Sequence, residues 1–254
     1  MPPALAREAV EWMELIAMRQ GTRDRDQELI DKLYGADLER ARELAADGQA
    51  VVTARRLREM EHTYKDLHDI SKATESAERI EAGDEHRLQL KKAKRARGFE
   101  DNCLERRNAE LTLLRNSDVP PPTAQLAGNL HIRDLTRFAR ESDEKGLAAQ
   151  RCLNSLYTSL SFYLPLDELL KQRYAQVAAS YELSLMIRDD NPVVWYNLAC
   201  VRAHLGQKND AIKALTSALE LGFKNSELMA NDTDLDPLRN RDDFKALLAT
   251  VPVS

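Results

Sequence analysis

This sequence predicts an all-α protein of antiparallel helical hairpins, and three observations carry that prediction. Apolar residues recur at three- and four-residue steps through most of the 254 residues, the period of an amphipathic helix. Glycine and proline are scarce at 9 each, while 43% of residues are apolar and 31% charged. That balance suits long helices with charged outer faces better than sheets or disordered chain. Finally, the stretch NPVVWYNLACVRAHLGQKNDAIKALTSALELGF, residues 191–223, reads as two helices joined by a glycine turn. A lone hairpin of this kind cannot bury its apolar side, so neighbours are expected. Aromatics at 6% point to a thin layered core of Leu, Ala and Val.

The elements follow in order. Residues 4–20 form a helix with Ala6, Ala9, Val10, Met13, Ile16 and Ala17 along one side, ended by Gly21. A second covers 25–47, with Leu29, Ile30, Leu33, Leu38, Ala41 and Leu44 aligned and Gly48 closing it; a third runs over 50–67. From 69 to 115 both charge signs interleave and apolar positions are sparse. One or two long solvated helices fit there, with Gly83 and Gly98 as the places to break, and a weak seam for a coiled-coil homodimer. Pro120, Pro121 and Pro122 favour an extended spacer, after which Thr123 would cap a short helix. Helices are then expected at 131–143, at 146–163 (stopped by Pro165), at 167–188, 192–205 and 208–221, and from Arg241 to Leu248. The predicted organisation is a helical region at 1–116, a Pro-rich linker with a short helix at 117–130, and a repeat domain with a capping helix at 131–254.

Within residues 191–223, the first helix aligns Trp195, Leu198, Ala199, Arg202 and Leu205. The second aligns Ala211, Ala214, Leu215, Ala218 and Leu219, with Gly206 at the turn. Ala199 and Ala218 permit close approach of the two helices. Trp195 is expected in the wedge against the preceding helix, where truncation to Ala would cost roughly 3–5 kcal/mol. These residues resemble the tetratricopeptide repeat, the TPR, across about residues 167–250. Trp195, Leu198, Ala199, Ala211, Leu215 and Ala218 fall on its pattern, while Arg202 replaces an aromatic and Phe223 the closing proline. One period earlier, Val177, Ala178, Tyr181 and Leu185 make a partial second repeat whose first helix is interrupted by Pro165. NDTDLDPLRNRDDFKALL resembles the closing segment of bacterial repeats of this family, with Phe244, Leu247 and Leu248 covering the last helix. LERARELAADGQAVVTARRLREM fits either a degenerate repeat or an ordinary hairpin. The N-terminal stretch EAVEWMELIAMRQGTRDRDQELIDKLYGADLERARELAADGQ resembles the helical C-terminal extension of secreted bacterial α/β-hydrolases. That resemblance implies no catalytic residue in this chain.

Net charge is −5, so no overall field draws the chain to nucleic acid or anionic lipid. The basic run KKAKRAR, Lys91 to Arg97, is flanked by acids able to pair with it and reads as a solvated face. Cys103, Cys152 and Cys200 form no CxxC pair and read as reduced thiols, Cys200 as a small apolar filler. No apolar run is long enough for a bilayer, and charges interrupt the place of a signal peptide. The chain as written is expected in the cytoplasm, or in the periplasm or outside the cell if it is a fragment of an exported hydrolase.

Catalytic signatures are missing from the sequence: there is no G-x-S-x-G and no glycine-rich phosphate loop. His62 and His68 point to different sides of their helix, and Asp189-Asp190 and Asp242-Asp243 fit helix starts. No catalytic residue, cofactor or metal is therefore predicted, and the chain reads as a non-enzyme. The resemblance to the TPR implies a protein-interaction or scaffold module with a protein or peptide partner. Its groove positions would be Tyr196, Asn197, Cys200, Ala203 and His204, with Asn197 holding a peptide backbone or terminal carboxylate. The alternative is an accessory region that packs on, or orients, a hydrolase catalytic domain.

Overall fold

A computed structural model describes residues 3–250, and side chains from residue 9 onward; every regular element in it is a helix. The chain divides into two compact units, residues 1–94 and 95–254.

The first unit holds α1 (Pro3–Arg19), α2 (Gln27–Ala46), α3 (Ala50–Tyr64), α4 (Ser71–Glu81) and the start of α5 (Asp84–Asn116). Asp26 caps α2 by accepting from the Leu29 N–H at 3.0 Å. Gly48, at φ 72°, takes the left-handed turn between α2 and α3 that a side chain would resist. The core joins Ile30, Leu33 and Tyr34 of α2 to Leu57, Met60 and Tyr64 of α3. Ala73 and Ala77, one turn apart and fully buried, bring α4 close against α3. The α1 stripe is turned from the expected one. Leu15 and Met18 are buried, while Ala9, Val10 and Met13 are exposed; the Ala6 side chain lies outside the described residues. Of the two candidate breaks in the charged segment, Gly83 separates α4 from α5, and Gly98 lies inside an unbroken α5. The cations of the basic run are exposed. Of its flanking acids, Glu81 pairs with Arg58 at 2.6 Å and Asp84 with Arg87 at 2.5 Å.

The second unit continues α5 and adds α6 (Thr123–Asn129), α7 (Ile132–Phe138), α8 (Glu144–Thr158), a π-helical turn (Ser159–Tyr163), α9 (Leu164–Leu170) and α10 (Tyr174–Ile187). There follow α11 (Pro192–His204), α12 (Lys208–Glu220), α13 (Ser226–Asn231), a 3-10 segment (Thr233–Leu238) and α14 (Asp242–Thr250). The three prolines lie inside this unit, and the chain just before them is tied down. Arg173 donates to the Arg115 carbonyl and, at 2.5 Å, to that of Ser117, which also accepts from Gln176 at 2.8 Å. Thr123 does not cap α6; the cap position is Pro122, and no side chain bonds there.

Pro165 does not stop the helix as expected. The path runs on from α8 through the π turn into α9, with Pro165 in its first turn. The carbonyl five residues earlier, Leu160 O, loses its π-type N–H donor to the proline ring and takes the Ser180 hydroxyl instead, at 2.7 Å. The helix expected over 167–188 is two helices, broken at Gln172, whose φ is 57°. At that break the Glu168 carbonyl accepts from Arg173 N at 3.0 Å.

The hairpin α11–α12 forms at the expected residues. Gly206 has φ 71° and its N–H donates to Ala203 O at 3.0 Å, closing α11. Ala199, Ala211, Ala214, Leu215 and Ala218 are all fully buried between the two helices and their neighbours. Arg202 at the unusual position pairs with Glu182 of α10 at 3.0 Å. The short helix α13 and the 3-10 segment lie in a region read from the sequence only as a polar cap.

Candidate functional site

The groove positions face a segment of the same unit. The 3-10 segment packs along α11, with Leu235 and Leu238 fully buried in the shared core. Tyr196, Cys200 and Ala203 are accordingly buried, Asn197 is half-buried, and His204 is exposed. The Tyr196 ring stacks on Phe223 at 4.3 Å, and its hydroxyl donates to Asp232 Oδ2 at 2.7 Å. Burial, then that bond, pushes the Tyr196 hydroxyl well above the usual tyrosine range. Asn197 hydrogen-bonds the buried Tyr181, whose pKa burial pushes up to about 12 while the Asn197 bond works the other way. His204 stacks on Tyr174 at 4.4 Å, and its Nε2 lies 2.8 Å from Asp234 Oδ1. The five residues do lie on one stretch of α11, but their partners are the chain's own Phe223, Asp232, Asp234, Tyr174 and Tyr181.

Among the described residues, one grouping could offer three atoms to a cation. Cys200 Sγ and carboxylate oxygens of Asp232 and Asp234 lie within 4.8 Å of one another. Protein donors already meet these atoms. Asp232 accepts from Tyr196, from the Cys200 thiol at 3.7 Å and from Asp234 N at 3.0 Å, while Asp234 meets His204. Burial, then the charges of Asp232 and Asp234, pushes the Cys200 thiol up, so it stays protonated.

Open surface lies instead along the π turn and α9. Phe162, Tyr163, Leu166, Leu169 and Leu170 are all exposed, Tyr163 at 60% and Leu170 at 83%. Their spacings of one, three and four residues put them on one side of the helical path. Leu160, Leu164, Pro165 and Glu168 on the other side are buried. The segment is therefore apolar on both faces and covered by this chain on one, a pattern that a helix facing only water does not show. Phe162 and Tyr163 pack edge to face, 5.2 Å between ring centres. The inner face holds the buried Glu168 carboxylate, which takes Lys171 at 3.0 Å and Arg173 at 3.4 Å. That pairing pins the end of α9 beneath the exposed side chains.

In the first unit a cleft of about 430 Å³ has Trp12, Asp37, Arg56 and Tyr64 on its wall. Its polar groups neutralise one another: Asp37 accepts from Arg56 at 2.7 Å and from the Tyr64 hydroxyl at 2.8 Å. His62 lies on α3 and His68 beyond its end, stacked on Tyr34 at 3.9 Å. Asp189 and Asp190 precede α11, but the cap is Asn191, which accepts from Val193 N at 3.0 Å. Asp243, in the first turn of α14, accepts from Phe244 N at 2.9 Å.

Sequence reasoning missed two features. The apolar face of α9 was masked because its leucines also read as ordinary core. The approach of Cys103 to Cys152 is tertiary, and no local spacing announces it. No protein-family model, curated protein or solved structure matches this chain. No helix among the described residues is long and apolar enough to cross a membrane.

Proposed function

We propose that this chain is a protein-interaction module of TPR-like hairpins whose contact surface is the exposed apolar face of α9. The observation that carries the reading is the row Phe162, Tyr163, Leu166, Leu169 and Leu170, uncovered on a helix whose opposite face is core. The hairpin α11–α12, with its left-handed Gly206 and its buried alanines, supports the repeat part of the proposal. The α11 face is a poorer place for a peptide, since residues 223–238 of the chain lie on it. The occupant of the α9 face is an amphipathic helix of another protein, its apolar residues meeting this row.

The test compares wild type with a Phe162→Glu, Leu166→Glu, Leu170→Glu protein. All three side chains are exposed, so circular dichroism and the urea midpoint should stay at wild-type values. Affinity purification with mass spectrometry should lose a specific partner. An unchanged partner list rejects the α9 face. Sedimentation that shows wild type dimeric and the variant monomeric would replace the heterologous partner with a second copy. A partner bearing an α/β-hydrolase domain would identify the accessory-region reading.

A further inference from the structure

We propose that Cys103 and Cys152 form a dithiol–disulfide site in the second unit, with Cys103 the nucleophile towards peroxide and Cys152 the resolving thiol. The site goes beyond the interaction surface on α9 and shares no residue with it.

Two helices bring the thiols together. Cys103 is on α5 and Cys152 on α8, and both belong to one packed cluster with Leu135, Ala149 and Leu153. The two thiols are close enough for each to shift the other's ionisation. Both also line an open cavity of about 250 Å³ with Arg107, Arg151 and Ser155 on its wall. A small polar oxidant thus has a route to sulfurs that are otherwise shielded. Cys152 is the more accessible; Cys103 is 9% exposed.

A cation completes the arrangement. Arg106 Nη2 lies 3.6 Å from Cys103 Sγ. Its Nε is buried with no hydrogen-bond acceptor. Other arginines nearby are occupied: Arg151 with Glu100, and Arg107 with Ser155 and Asn108. Arg106 is therefore a part-buried guanidinium whose polar contact is a sulfur, the setting in which a thiolate is favoured. The Cys152 thiol and Arg106 hold Cys103 down to about 6 against the opposing effect of burial, with His131 adding a smaller push. The bond to Cys103, then burial, raises Cys152, with Glu100 raising it further and Arg151 opposing. The guanidinium contact is made to Cys103, which favours the thiolate there and assigns the two roles.

The chemistry balances in two steps. The Cys103 thiolate attacks one oxygen of hydrogen peroxide; the O–O bond breaks, Cys103 becomes a sulfenic acid and hydroxide leaves. The Cys152 sulfur then attacks the sulfenic sulfur, its proton combines with the departing hydroxide, and a disulfide and water form. Peroxide is the oxidant throughout, and a small dithiol reductant reverses the result by exchange.

Reduced full-length protein is treated with hydrogen peroxide, alkylated in denaturant and digested without reductant. The expected product is a pair of peptides joined through Cys103 and Cys152, two hydrogens lighter than their sum, with Cys200 alkylated. In Cys152→Ala protein the sulfenic acid has no resolving thiol, so dimedone should label Cys103; Cys103→Ala should give neither product. At neutral pH Cys103 should alkylate several-fold faster than the similarly buried Cys200, whose thiol is held protonated. Arg106→Met should slow it several-fold while the disulfide still forms at higher pH. Wild type that keeps all three thiols, or that links either residue to Cys200 instead, overturns the proposal, and that readout needs no variant.

Discussion

Trp195 and Leu198 stand less than one turn apart on α11, yet they should answer truncation differently. Leu198 is wholly buried, and Leu198→Ala should cost about 2–5 kcal/mol. Trp195 is only half-buried, its indole N–H reaching out to the Asp189 carbonyl at 2.8 Å. Trp195→Ala should therefore cost about 1–3 kcal/mol, below the range for a fully buried ring. Urea unfolding of the two variants checks the order; a larger loss for Trp195 would mean the indole is a core anchor. The repeat pattern made Trp195 conspicuous in the sequence, but its depth depends on where the chain before α11 runs. The same limit hid the covering of Tyr196 and Cys200. NDTDLDPL looks like a polar loop, and only the folded chain shows Leu235 and Leu238 turned inward while the acids point out or bond to α11.

Glycines separate what an element needs from what it tolerates. Gly206 has φ 71°, so Gly206→Ala should destabilise by about 1 kcal/mol even though nothing lies within 4 Å of an added Cβ. Gly98 sits within α5 at a helical φ, again with nothing within 4 Å, and Gly98→Ala should stabilise by about 0.5–1 kcal/mol. Opposite shifts in melting temperature are the expected outcome; shifts of one sign would contradict one of the two conformations. In the sequence both Gly83 and Gly98 read as breaks. What distinguishes them is packing, since α5 stays helical across Gly98 with Ala96 and Cys103 buried on either side of it. The helix boundaries from 192 to 221 were legible because apolar period, turn glycine and cap agree there. Pro165 was misread because its remedy, the Ser180 hydroxyl on Leu160 O, comes from a helix later in the chain.

At the scale of the whole molecule, both units bury tyrosines, and this makes stability fall in alkali. Burial is the leading cause of the raised values at Tyr64, Tyr181 and Tyr196. An unfolded tyrosine ionises near pH 10, whereas folded Tyr181 keeps its proton until about 12. Above pH 10 the unfolded chain thus binds fewer protons than the folded one. Stability is full below that point and declines through the interval to 12, by up to about 1.4 kcal/mol per pH unit for each such tyrosine. Urea midpoints across that interval, with phenolate absorbance recorded alongside, check this; a flat midpoint would mean the hydroxyls reach water. The all-helical class and the α11–α12 hairpin could be read from periodicity and composition alone. The division at residue 94 could not, because α5 runs through it without any change in helical pattern. The covering of the α11–α12 hairpin also bears on assembly. A helical hairpin with a bare row of alanine and leucine offers a second copy a place to add, and head-to-tail fibres can grow from it. Here Leu235, Leu238 and Phe244 fill that row from within, and Asp234, Asp236 and Asp242 are turned to solvent. An arriving copy meets carboxylates there instead of a template.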